Sequence, residues 1–190
     1  MDSLLDSTVT TSVSAPVSDD FLRPAKFKVA KLDSFRIVDK DDKLVTLTAA
    51  EERQYLQHKV EHSVYAPYYF YSVQQNTPAR KVITVLTYDG EYKTDLLRLA
   101  YDSHNKLISR QVVAFVATDG EVRHEAYGWF ESPTVFQFVE VHEEPVSETP
   151  TNANYLLDSL VTRYTVKNEQ FEIVDKSTYQ RQRQVPRSAE

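Results

Sequence analysis

Five consecutive residues, His58-Lys59-Val60-Glu61-His62, match H-x-x-E-H, a zinc-site pattern. On a helix, residues four apart share one face, so His58 and His62 are the candidate metal ligands, with Glu61 as general base. The plain alternative is a solvated helix end carrying polar residues. His104, His124 and His142 are dispersed. His104 falls in a predicted turn. His124-Glu125 and His142-Glu143-Glu144 offer donors beside acceptors, with no nucleophile placed next to them. No serine sits in G-x-S-x-G, so the nucleophile elbow is excluded. Carboxylates are plentiful, but sequence does not say which pair would stand about 5–10 Å apart, as glycoside hydrolysis needs.

The aromatic residues form a second candidate group. Tyr65, Tyr68, Tyr69, Phe70 and Tyr71 cluster in one stretch, and Tyr127, Trp129 and Phe130 in another. Aromatic faces stack on sugars or bases and anchor protein partners. Tyr127, Trp129, Tyr69 and Tyr71 are the candidate ligand-binding residues. Tyr127 and Trp129 come first, because they share a predicted strand face with charged side chains. Cross-strand packing is the simpler account of both clusters.

Composition removes several functions. Only three glycines occur in 190 residues, and neither GxGxxG nor GxxxxGK can be written. With no cysteine, disulfides, thiolate catalysis and Cys-ligated zinc are excluded. The net charge of -6 argues against nucleic acid as a partner. No cofactor is implied. No apolar run reaches the length of a membrane span. Met1-Asp2-Ser3-Leu4 lacks the basic start and apolar stretch of a secretory signal. The chain is therefore cytoplasmic, or a mature form whose leader has been removed.

Residues 1–22, rich in Ser, Thr and Asp, read as a flexible leader or tether. A single β-rich domain is expected over 23–178, followed by a polar basic tail over 179–190. Phe27, Val29, Phe35 and Ile37 alternate with basic residues, as a half-buried strand does. Asp39–Lys43 is a charged turn, and Leu44–Leu47 a short strand. Thr48-Ala49-Ala50-Glu51 is a capping box, which predicts a helix over about 49–61 with Glu52, Arg53, Gln54 and Gln57 toward solvent. Pro67 stops it from running on.

From Tyr68 the pattern is β. Lys81–Tyr88 is apolar on both faces. Turn signals recur at Asp89-Gly90, His104-Asn105, Asp119-Gly120 and Ser132-Pro133. They bound strands near Lys81–Tyr88, Lys93–Asp102, Leu107–Ala117, Val122–Glu131 and Thr134–His142. Glu143–Asn154 reads as a loop, and Leu156–Lys167 with Phe171–Lys176 as a last hairpin around Asn168-Glu169. The fold class is mainly β: an antiparallel up-and-down meander, as a curved sheet or a barrel, with one short N-terminal α-helix.

TYDGEYKTDLLRLAYDSHNKLISRQVVAF (Thr87–Phe115) and YGWFESPTVFQFVEV (Tyr127–Val141) resemble β-rich lipoproteins of the bacterial cell envelope. That resemblance covers about residues 69–175 as a pattern of strands and turns. It implies a periplasmic or membrane-tethered protein, with a lost N-terminal lipid anchor as the tether, but no established activity. The inverzincin peptidases resemble this chain only in the five residues 58–62. They are α/β proteins whose third ligand lies on a following helix, whereas the chain here continues as strands. Three functions follow as expectations. The first is a non-enzymatic envelope module that binds a protein or small molecule. The second is a barrel enclosing a small apolar ligand. The third is a metal-dependent hydrolase.

Overall fold

The computed structural model describes residues 21–28, 32–37, 44–57, 65–89, 92–149 and 151–186. It shows one antiparallel sheet of nine strands: β1 (Ser34–Phe35), β2 (Tyr68–Thr77), β3 (Arg80–Tyr88), β4 (Lys93–Tyr101), β5 (Leu107–Asp119), β6 (Val122–Ser132), β7 (Val135–Glu148), β8 (Asn152–Lys167) and β9 (Gln170–Pro186). From β2 to β9 each strand pairs with the next, so the meander expected from the turn spacing is what forms. The sheet is open rather than closed into a barrel, because β2 and β9 lie at opposite ends of the strand order. Among the described residues, no helix is long and apolar enough to cross a membrane.

The sheet folds over at β5 and β6. These strands pair only between Phe115–Asp119 and Val122–Ala126. Beyond Ala126 the freed edge of β6 takes β1, with Phe35 opposite Gly128. A Cβ at Gly128 would collide with the Phe136 ring and lie 2.8 Å from the Gln137 carbonyl oxygen. Glycine here leaves the room that the Phe136 ring occupies. Phe35, Leu86, Leu96, Phe115, Ala126, Phe136 and Phe138 form the core between the two halves.

The other face of β2–β4 is covered by α1 (Ala49–Leu56) and residues 21–28. Leu22, Tyr55, Leu56, Phe70, Ile83, Leu97, Leu99 and Tyr101 pack there. Burial on both faces explains why β3 reads as a continuous apolar run. The capping box forms as expected: Thr48 Oγ1 accepts from Glu51 N at 3.3 Å, and Glu51 Oε2 accepts from Thr48 N at 3.0 Å. Burial alone would raise the Glu51 pKa, but hydrogen bonds from Lys26 and Thr48 hold it below the usual value.

Several sequence expectations are corrected. The helix ends at Leu56 instead of about residue 61, because Gln57 adopts a left-handed backbone at φ 51°. Glu52 is buried, not solvated, since it shares a helical face with Tyr55 and Leu56, three and four residues on, which pack against the sheet. Phe21 and Leu22, the last two residues of the expected leader, pack into the core beneath the helix. Among the described residues of the first expected strand, Ser34–Phe35 alone pairs, and Val29 lies outside the described residues. Leu44–Leu47 contributes one bridge, Thr46 to Tyr69, rather than a strand.

Most of the expected loop Glu143–Asn154 is strand. Pro145 is accommodated because the register shifts between Pro145 and Ser147, a bulge that tolerates its missing N–H. Residues 179–186 are mostly polar and exposed, as expected of a tail, yet they continue β9. Backbone pairing with β8 holds them, so no apolar alternation is needed to mark the strand.

Candidate functional site

Successive hairpin registers place four residues in one row across four strands. His124 on β6 is opposite His142 on β7, His142 opposite Asp158 on β8, and Asp158 opposite Gln180 on β9. Directly opposed residues in antiparallel strands point to the same face. The row lines a cleft of about 590 Å³, with Glu140, Leu160 and Thr178 from the adjacent row. That volume suits a small ligand.

The two imidazoles meet edge to face, with centroids 5.7 Å apart. His124 also packs edge-on to Phe115 at 4.7 Å. His124 Nε2 lies 3.8 Å from Glu140 Oε2, and His142 Nε2 lies 3.7 Å from Glu144 Oε2. Gln180 Nε2 donates to Asp158 Oδ1 at 2.8 Å, which fixes that carboxylate. Burial lowers the His124 pKa, and His142 and Lys93 push the same way against the opposing pull of Glu140. The cleft at neutral pH thus offers a neutral His124 beside the Glu140 carboxylate, with the Asp158 carboxylate two strands away in the same row. This arrangement accepts hydrogen bonds and favours positive charge. Among the described residues, no three His, Asp or Glu side chains stand close enough to share a metal ion.

A second cavity, of about 470 Å³, lies where the β8–β9 turn meets β3 and β4. Glu169 in that turn pairs with both Arg80 and Arg98. The Arg98 guanidinium also lies over the Phe130 ring at 5.4 Å and the Phe171 ring at 5.7 Å. Burial, then the charge of Arg80, draws its pKa down to about 10, so it stays cationic at neutral pH. Arg98 Nη1 and Glu169 Oε2 face each other as charges without a well-formed hydrogen bond. Gln170 Nε2 donates to the Ile108 carbonyl at 2.7 Å beside them. These contacts latch the last hairpin onto the first half of the sheet, so the Arg–Glu group serves the fold.

The residues nominated from sequence scatter. His58 and His62 lie outside the described residues. Tyr127 and Trp129 do share one face of β6, stacked at 6.2 Å and 20°, with Arg36 5.1 Å over Tyr127. Tyr69 and Tyr71 instead pack against the inter-half core, whose β6 contribution is the opposite face of that strand, Ala126 and Phe130. The two pairs are not brought together, because neighbouring residues on a strand alternate sides. The cleft row was present in the sequence without being assembled from it. Pairing outward from each turn misses both contacts by one residue, because the register shifts between Phe130 and Ser132 in one hairpin and between Arg163 and Tyr164 in the other.

Comparison of the chain with protein-family models, curated proteins and solved structures finds no match.

Proposed function

We propose that this chain is a non-enzymatic binding module of the cell envelope, which holds a small amine-bearing ligand in the His124–His142–Asp158 cleft. The cross-strand row opening into the cleft carries this reading. Its acceptors are Glu140 and Asp158, and His124 adds a neutral imidazole rather than a competing positive charge. Binding is favoured over reaction by how the groups are spent. His124 is nearest Glu140, His142 nearest Glu144, and Asp158 already accepts from Gln180. The Ser/Thr/Asp-rich N-terminal stretch supports a tether to the envelope surface.

Titration with putrescine, followed by NMR on the histidine Hε1 resonances, tests the reading. The His124 and His142 signals should shift saturably, and the shift should disappear in the Glu140→Gln, Asp158→Asn double variant. A neutral polyol of similar size should leave them in place. Histidine signals that ignore the amine, or that respond equally in the double variant, would rule out this ligand class.

A further inference from the structure

β9 ends the sheet, and among the described residues its 17 residues pair only with β8. At about 3.3 Å per residue its outer edge runs for about 55 Å. The opposite edge is treated differently. The start of β2 is covered by the Val45–Leu47 segment, through Leu47 N to Tyr68 O at 2.8 Å and Phe70 N to Val45 O at 2.9 Å. A long bare edge is a template for another strand, and soluble proteins generally blunt it. On β9 the bulge at Val174 and Pro186 lie toward the ends, and the charges Asp175, Lys176, Arg181 and Arg183 lie between them. Asp175–Val185 between them is regular, without proline or glycine. Tyr179 at its middle is 62% exposed.

We infer that a second copy of this chain adds its β9 to this edge, antiparallel and centred on Tyr179, joining two sheets into one. The occupant is indicated by self-complementarity. In this register Asp175 opposes the partner's Arg183, Ser177 the partner's Arg181, and Lys176 the partner's Gln182. No like charges face each other. Centring on Arg181 would set that arginine against itself, and centring on Gln182 would set Arg181 against Arg183, each a destabilising pair. Arg183 is already held by Glu143 and by the Tyr155 ring, 5.6 Å away, so less side-chain freedom is lost on pairing. The contact also bears on the cleft, which Thr178, Tyr179 and Gln180 line on its β9 side. Gln180, the last residue of the His124–His142–Asp158 row, would stand opposite the partner's Thr178. The two clefts then meet across the two-fold axis.

Sedimentation equilibrium of the full chain over a concentration series tests this. The wild type should show a monomer–dimer equilibrium. Tyr179→Lys, which opposes two lysines at the axis, should be monomeric throughout with an unchanged circular dichroism spectrum. Arg183→Asp should weaken the dimer, and adding Asp175→Arg should restore it. A wild type that is monomeric at every concentration overturns the inference. So does a dimer indifferent to both Tyr179→Lys and Arg183→Asp. The charge swap keeps the register testable if the lysine variant does not fold.

Discussion

Replacing Glu169 by glutamine should loosen the contact that keeps the two halves of the sheet together. The Glu169 side chain is only 6% exposed and that of Arg98 8%, so neither charge is well solvated in the folded protein. Glutamine keeps the shape and the backbone conformation (φ 66°) but removes the charge facing Arg98 and Arg80. Taking one partner from a buried pair costs about 3–5 kcal/mol, mostly from stranding the other. Arg80 is more exposed and can turn to water, which places the expected loss near about 3 kcal/mol. With a urea dependence of about 2 kcal/mol per molar, the unfolding midpoint should fall by about 1.5 M. Arg98→Met, which leaves an apolar chain between Phe130 and Phe171, should suppress most of the effect of Glu169→Gln. The double-mutant cycle should return a coupling of about 2 kcal/mol or more. Equilibrium urea unfolding of the four proteins measures it. A Glu169→Gln cost under about 1 kcal/mol, or additive single effects, would refute the latch.

Two further outcomes follow from the structure. Gly128→Ala should destabilise by about 2 kcal/mol, within the range of overpacked cores, because the new methyl meets the Phe136 ring and the Gln137 carbonyl; an unchanged urea midpoint would show that β6 and β7 separate freely. His124 should titrate below the usual 6.5 in an NMR pH series, and Glu140→Gln should lower it further by removing the opposing charge. Because the folded protein takes up that proton less readily than the unfolded chain, stability should rise with pH from the folded midpoint to about 6.5 and decline as pH falls through that window. A midpoint at or above 6.5 would contradict the burial argument.

The strands were legible where turn chemistry and patterning agreed. Asn105 and Gly120 take positive φ in the expected hairpins, and the edges of β3 to β6 fall within a few residues of the expected ones. They were not legible where pairing alone makes a strand. Gln180–Gln184 is polar on both faces, and the stretch expected as a loop over Glu143–Asn154 contains Pro145, which a bulge absorbs. The candidate cleft was hidden for a related reason. Its side chains come from four strands, and each contact depends on a register that starts at a separate turn and is shifted by a bulge on the way. The solvent side of the helix was misjudged at Glu52, because the face it shares with Tyr55 and Leu56 is the one that packs on residues of β2–β4, distant in sequence.

The sequence by itself therefore determined the mainly β class, the meander order, the capped helix start and the absence of glycine-rich phosphate loops. These follow from local rules: side-chain periodicity, φ tolerance at turns and capping geometry. Only the tertiary structure decided that the sheet stays open and folds over between β5 and β6, and that Arg98 and Glu169 fasten its far hairpin. Only it decided that His124, His142 and Asp158 share a cleft while Tyr69 and Tyr71 are turned away from Tyr127 and Trp129. Those outcomes depend on register and on which faces are covered, both fixed by contacts between residues far apart in the chain.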